Sequence, residues 1–318
     1  MQIPEQDKRA VVVKNAGSHF LLSRLPDWSP FPAVLRGKVR LGQTTATNPV
    51  AVGDVVRYEG DEMQADAQHP VLIREILPRR NCLSRRSTNL SRQAHVLAAN
   101  IDRAIVVTTL YFPEIKLPFL DRMLVSCACY GVPALIVLNK VDMYREEDPE
   151  SVRHFCDIYE KAGYPVLQTA VPTGEGIGAL REACRGKCSL LCGESGVGKS
   201  SLVHAIDPSL QPKIGRISDV HLQGKHTTSL YEMYPLAGLG FLIDSPGLRG
   251  FGLSDVPPDD VFRYFPEMLR VADDCRFMPC THTHEPGCAV KAALEAGDIS
   301  PERYASYLGM LEEDRKFR

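Results

Sequence analysis

The stretch Gly193-Glu194-Ser195-Gly196-Val197-Gly198-Lys199-Ser200-Ser201 decides how the rest of the chain is read. Its first eight residues fit G-x-x-x-x-G-K-[ST]. The glycines let backbone N–H groups wrap a phosphate without steric cost. Lys199 would reach the β and γ phosphates of a nucleotide, and Ser200 would ligate Mg²⁺. The apolar SLLC before the loop reads as a strand. SLVHAI after it reads as a helix whose N-terminus favours an anion. A chance match in a glycine-rich turn would not carry both flanks. Such a loop usually opens its domain, yet here it begins at residue 193 of 318.

Downstream, GFLIDSPG places Asp244 at the tip of an apolar strand, where an acid holds Mg²⁺ through water, and Gly247 closes the turn. Upstream, Asn139-Lys140-Val141-Asp142 ends the apolar ALIVL. A carboxylate at Asp142 can accept both guanine N1–H and N2–H₂, a pair of donors that adenine lacks. Asn139 would bond the other edge of the base and tie this loop to the phosphate loop. The stem of Lys140 would cover the ring. Thr169-Ala170, followed by PTGEG, resembles the short loop whose backbone amide contacts guanine O6. The nucleotide expected is therefore GTP, with GDP as product.

These elements match those of Ras-like GTPases, but the base-reading loops precede the phosphate loop. That order is what circular permutation produces, and compact domains with neighbouring termini tolerate it. Gly224-Lys225-His226-Thr227-Thr228-Ser229 lies where a switch threonine would ligate Mg²⁺ and sense the γ phosphate; Thr227 and Thr228 are both candidates. Leu248 stands where Ras-like enzymes place a water-orienting Gln, so slow intrinsic hydrolysis is expected. His226 is the nearest polar replacement in sequence. The catalytic set expected from the sequence is His226, Lys199 and Thr228.

Residues 1–80 read as five short β segments, RAVVVKN, HFLLSRL, PAVLRGKVRLG, VAVGDVVRYEG and PVLIREILP, punctuated by Gly, Pro, Asn and Asp. Five strands without a helix suggest an OB-fold barrel. Arg79, Arg80, Arg85, Arg86 and Arg92 follow in a segment with no acid, either a solvated linker or a phosphate-contacting strip beside the barrel. Residues 1–95 hold 14 Lys+Arg against 9 Asp+Glu, and residues 253–318 hold 8 against 13, so the front is expected to meet a polyanion. From Asn100, strands alternate with helices, which implies a mostly parallel, doubly wound sheet.

Of the ten cysteines, Cys82, Cys127, Cys129, Cys156, Cys184, Cys188 and Cys192 are scattered and read as core thiols. Cys275, Cys280, His282 and Cys288 cluster, a donor set suited to one structural, tetrahedral Zn²⁺, with His284 as an alternative ligand. The segments around them read as helices. MQIPEQDKRA lacks the apolar core of a secretory signal and no apolar run has membrane-spanning length, so a cytoplasmic protein is expected.

Taken together, NKVD (139–142), GESGVGKSS (193–201), GKHTT (224–228), DSPG (244–247) and the Cys275/Cys280/His282/Cys288 set resemble the ribosome-small-subunit-dependent GTPase A family of bacteria. The resemblance spans essentially the whole chain. It implies three parts: an RNA-binding OB-fold over 1–95, a circularly permuted P-loop GTPase over 96–252, and a mostly helical zinc-binding module over 253–318. It also implies a monomer that binds the small (30S) ribosomal subunit and its 16S rRNA and checks late maturation. Hydrolysis is expected to be stimulated by that subunit, and the family's proposed catalytic histidine falls on His226. Two rivals are a GTP-gated rRNA-binding factor whose hydrolysis is incidental, and a permuted GTPase of the large subunit.

Overall fold

Alternating burial along the first strands builds a barrel. In β1 (Arg9–Ala16), Ala10 and Val12 are buried in the interior, Val11 between them is half-buried, and Arg9 and Ala16 face water. β2 (His19–Ser23), β3 (Phe31–Leu35), β4 (Val55–Glu59) and β5 (Val71–Ile76) follow. The order β1-β2-β3-β5-β4 closes through a β1–β4 pairing, antiparallel throughout except β3–β5. Val12, Leu22, Val56, Tyr58 and Ile73 fill the interior. The computed structural model describes residues 8–35, 49–86, 94–210, 232–244 and 256–316.

The described part of the arginine-rich segment after the barrel is mostly strand. β6 (Cys82–Arg86) and β7 (Ala94–Ala99) pair as an antiparallel hairpin. Of the segment's arginines, Arg79 and Arg80 have described side chains, and both have structural partners. Arg79 makes a bidentate pair with the buried Asp54 (2.7 and 2.8 Å), which also accepts from the Ala51 N–H. Arg80 bonds Asp102 at 2.6 Å. A bidentate guanidinium on a buried carboxylate is among the stronger polar contacts, so Arg79 pins the barrel to the hairpin rather than serving a phosphate. Arg92 lies outside the described residues.

The chain divides into two compact units. One comprises Met1–Ala104, Leu180–Cys192 and Ser200–Gly250; the other comprises Ile105–Ala179, Gly193–Lys199 and Phe251–Arg318. In the first, β11 (Cys188–Gly193) runs parallel to β13 (Gly240–Asp244). β12 (Glu232–Leu236), a strand absent from the sequence reading, forms an antiparallel hairpin with β13. Its Glu232 pairs with Lys14 of β1, whose ammonium lies 3.0 Å from the carboxylate. Trp28 stacks on Phe241 with ring centroids 5.9 Å apart. The barrel thus continues directly into the hairpin that carries Asp244.

In the second unit, β8 (Arg103–Thr108), β9 (Ala134–Asn139) and β10 (Val166–Thr169) lie in the order β10-β9-β8. β9 and β10 run parallel, with Thr169 level with Asn139. β8 and β9 are buried along almost their whole length, as strands covered on both faces are. Between them runs α1 (Leu117–Cys129), and after β9 comes α2 (Pro149–Ala162). The Asp148 carboxylate caps α2 by accepting from the Ser151 N–H, and Gly163 ends the helix at φ 98°. α3 (Ile177–Cys184) and α4 (Lys199–Ile206) flank β11 in sequence.

The C-terminal segments are mostly helical, as expected: a 3₁₀ turn at Pro258–Tyr264, α5 (Pro266–Leu269), α6 (Ala289–Ala296) and α7 (Pro301–Lys316). They share one apolar cluster with α1, in which Val125 joins Val261, Phe265, Met268 and Tyr307. Inside this cluster Arg303 is fully buried. It donates to Asp121 (2.8 Å) on α1 and to both oxygens of Glu267 (2.7 and 3.2 Å) on α5. The Tyr159 hydroxyl on α2 also donates to Asp121. No described helix is long and apolar enough to cross a membrane. Among the scattered cysteines, Cys127, Cys184 and Cys192 are buried and the rest half-buried. Burial pushes Cys127 and Cys188 up to about 12, so these thiols are core residues rather than nucleophiles.

Candidate functional site

β11 delivers the chain into the phosphate loop and α4 leads it away, as the sequence suggests. Two of the three glycines are required by close approach. Gly193 sits at φ 145°, and a methyl there would overlap the Val107 carbonyl oxygen. Gly198, at φ 96°, lies against the Asn139 amide nitrogen. Between them Val197 is buried and anchors the loop, while Ser195 and Gly196 are exposed at its rim. Lys199 folds back, its ammonium donating to the Gly193 and Glu194 carbonyls at 2.8 and 2.7 Å. Ser200 and Ser201 are exposed in the first turn of α4.

The base-reading loop is locked onto this structure. Asn139 is buried at the end of β9. Its Nδ2 donates to the Val197 carbonyl (2.9 Å), and its Oδ1 accepts from the Thr169 hydroxyl (2.9 Å). One amide thus ties the two base-reading loops to the phosphate loop. Lys140 takes a left-handed φ of 63° and donates to the Gly196 carbonyl (2.7 Å) and the Phe112 carbonyl (2.6 Å). Val141 is buried and opens a 3₁₀ turn that leaves Asp142 exposed. The Ala170 N–H donates to the Glu175 carbonyl (3.1 Å), closing the turn that the sequence assigned to guanine O6.

Asp244 ends β13, buried and level with Leu191, two residues before the phosphate loop begins. His226, Thr227, Thr228, Gly247 and Leu248 lie outside the described residues. Sequence reasoning missed Tyr144, whose buried hydroxyl donates to the Asn139 carbonyl at 2.6 Å. It also missed the β8–α1 loop, which supplies the Phe112 carbonyl. Neither carries a local motif.

The second cluster assembles as its spacing suggests. Cys275, Cys280, His282 and Cys288 are all buried, with ligand atoms within 4.8 Å of one another. His282 Nδ1 lies 3.6 Å from Cys275 Sγ and 3.5 Å from Cys288 Sγ, and the two sulfurs are 3.9 Å apart. A tetrahedral ion with bonds of ~2.3 Å to sulfur and ~2.0 Å to nitrogen has edges of roughly 3.8 and 3.6 Å. Cys275, His282 and Cys288 stand at these edges, and Cys280 Sγ lies within 4.8 Å of each of them. Burial and the neighbouring thiols push Cys280 up to about 12, so ionising this set calls for a cation among the sulfurs. Burial also favours the neutral imidazole that ligates. His284 is excluded as a ligand: it is exposed, with Nδ1 2.9 Å from the Thr283 hydroxyl.

Surrounding side chains hold the knot in shape. Glu285 accepts from the Thr281, Thr283 and His284 N–H groups and from the Thr281 hydroxyl. These bonds hold its carboxyl well below the usual range despite partial burial. Tyr304 and Tyr307 of α7 donate to the His282 and Thr281 carbonyls, each at 2.7 Å. The cluster is therefore fastened to the helix that carries Arg303.

A barrel, a P-loop sheet whose base-reading loops come first, and a helical Cys/His module define a circularly permuted GTPase. Two solved structures are similar to the chain over nearly its whole length. One titled "Crystal structure of YjeQ from Thermotoga maritima" superposes with a TM-score of 0.76 at 32% identity, covering 96% of this chain and 98% of the other. The structure titled YloQ, "a circularly permuted GTPase", gives 0.73 at 21% identity over 100% and 99%, which speaks to fold alone. The chain belongs to the RsgA GTPase family: the model of that name matches residues 76–254. Among curated relatives, the "Small ribosomal subunit biogenesis GTPase RsgA" of Bacteroides fragilis is 41% identical over 312 residues, 98% of this chain and 99% of the relative. That of Porphyromonas gingivalis is 42% identical over 311 residues, covering 97% and 98%. The chain is accordingly a GTP hydrolase.

Proposed function

We propose that this GTPase binds the small ribosomal subunit, contacts its 16S rRNA and acts in its late maturation, with hydrolysis stimulated by the subunit. The observation that carries the guanine half of the reading is the Asn139 bridge to Val197, with Asp142 exposed beside it. The ribosomal half is supported by the printed names of relatives that align over nearly the whole chain.

In this reading the backbone N–H groups of 193–199 and the Lys199 ammonium hold the phosphates. Asp142 accepts from guanine, and the Lys140 stem covers it. Ser200, Asp244 and a threonine at 227 or 228 would hold Mg²⁺, which neutralises charge developing on the β and γ oxygens. Leu248 cannot bond a water, so the work of orienting the attacking water falls to His226, completed on the ribosome. Residues 1–95 act as the RNA-binding OB-fold, 96–252 as the GTPase and 253–318 as the zinc module, in a cytoplasmic monomer. Zn²⁺ would be held by Cys275, Cys280, His282 and Cys288 as a structural ion, since all four positions are protein ligands.

Three outcomes follow. Co-sedimentation is expected with small subunits in a non-hydrolysable GTP analogue, weakly in GDP, and not with large subunits; equal binding to large subunits would remove the partner. His226→Ala is expected to lower subunit-stimulated turnover about a hundredfold while leaving nucleotide affinity unchanged; wild-type turnover would show that His226 takes no part. Stripping the ion with a strong chelator, or Cys288→Ser, is expected to lower the unfolding midpoint by about 10 °C. A midpoint indifferent to chelator would argue against a structural metal.

A further inference from the structure

The β8–α1 loop, residues 109–116, presses on the nucleotide site from a side the motifs do not predict. It is pinned from several directions. The Thr109 hydroxyl donates to the Pro113 carbonyl (2.8 Å), and the Ile115 N–H to the Leu110 carbonyl (3.0 Å). Tyr111 packs edge-on against Tyr144, centroids 5.7 Å apart, and its hydroxyl donates to Asp148 (2.8 Å). Pro113 Cδ lies 3.6 Å from where a side chain on Gly196 would begin. The Lys140 ammonium bridges the loop to the phosphate loop by donating to both Phe112 and Gly196.

Within this fixed loop Phe112 is the most exposed of the large hydrophobic side chains. Phe112 is 68% exposed, and its φ of 55° falls in a region that bulky residues rarely adopt. Such an outlier persists only where the surroundings over-determine it, and these cluster at ligand sites. The position follows from the Lys140 side chain. A nucleotide running from Asp142 to the phosphate loop lays its base along the Lys140 stem and its phosphates beyond Gly196. Its ribose then passes the ammonium end, where the Phe112 carbonyl is bonded.

We propose that Phe112 is a nucleoside-contacting residue whose ring covers the ribose and the adjoining edge of the guanine. The proposal rests on the GTP-site reading above. It adds an apolar wall to a site otherwise made of amides, a carboxylate and two ammonium groups, and places that wall at the start of α1.

The test is titration with GDP carrying a fluorescent N-methylanthraniloyl group on the ribose. Phe112→Ala is expected to weaken binding about tenfold, the usual scale for losing an aromatic platform, with Phe112→Tyr restoring it. The Phe112 carbonyl remains to accept from Lys140 in both variants. Phe112→Trp is expected to add energy transfer to the ribose label beyond that of the wild type, whose single tryptophan is Trp28. A merely structural role would not produce that signal. If wild type binds GDP, Phe112→Ala binds equally well and Phe112→Trp adds no transfer, the proposal is overturned and the nucleotide site stands. If wild type binds no guanine nucleotide, the site reading fails and takes the proposal with it.

Discussion

Replacing Asp142 with Asn is expected to turn this GTPase from guanine toward xanthine nucleotides. The carboxylate is acceptor-only and faces two guanine donors, N1–H and the N2 amine. Asn substitutes a donor for one acceptor, leaving its NH₂ against the guanine amine. Xanthine carries a carbonyl at that position and completes the pair again. Because Asp142 is exposed on a 3₁₀ turn, the substitution disturbs no packing. The loop beneath stays fixed by the buried Asn139 and Tyr144. Losing both guanine bonds and adding a clash of donors costs about 3–4 kcal/mol, or roughly a hundredfold to a thousandfold in GTP affinity. Competition between GTP and XTP for the labelled nucleotide measures it. An unchanged preference would mean that Asp142 does not read the base.

The second large effect is expected far from the nucleotide. Arg303→Met leaves Asp121 and Glu267 facing each other in a cluster from which water is excluded, with side chains 0% and 2% exposed. Burial already raises the Asp121 carboxyl, and the Arg303 guanidinium is the charge that opposes this rise. Breaking a buried pair from one side costs about 3–5 kcal/mol. Packing is lost too, because the guanidinium lies over the Phe265 ring at 4.5 Å. The unfolding midpoint is expected to fall by about 10 °C. Combining Arg303→Met with Asp121→Asn and Glu267→Gln removes the stranded charges and is expected to recover much of the loss. A single substitution that leaves the midpoint within about 1 °C would show that the triad contributes little.

This triad also carries a functional consequence. Asp121 lies on the helix that begins at the Phe112 loop, and Arg303 lies on the helix whose Tyr304 and Tyr307 hold the Cys/His knot. The base-reading half of the GTPase and the Cys/His module therefore share one core in the second unit.

What the sequence revealed was local. The phosphate loop, the N-K-V-D tetrad and the cysteine spacing each concentrate their chemistry in a few adjacent residues, and strand–loop–helix patterning places them. The barrel was legible because short, β-branched apolar segments such as RAVVVKN are punctuated by Gly, Pro, Asn and Asp. What stayed hidden depends on partners far along the chain. Arg303 meets Asp121 across 182 residues, and nothing near either one marks the pairing. Arg79 looked like a phosphate ligand because its carboxylate, Asp54, sits 25 residues away. β12 escaped because EMYPL is short and holds a proline. Phe112 escaped because its meaning lies in a backbone angle and in one bond from Lys140.

On the proposed function, the catalytic help that Leu248 cannot give resides on the small ribosomal subunit. Steady-state GTP turnover, measured with the chain alone and with purified small or large subunits added, tests it most directly. Slow hydrolysis is expected alone, with strong stimulation by small subunits, none by large ones, and ATP inert throughout. Turnover indifferent to small subunits would contradict it, and would leave a GTP-gated binding factor in which hydrolysis is incidental.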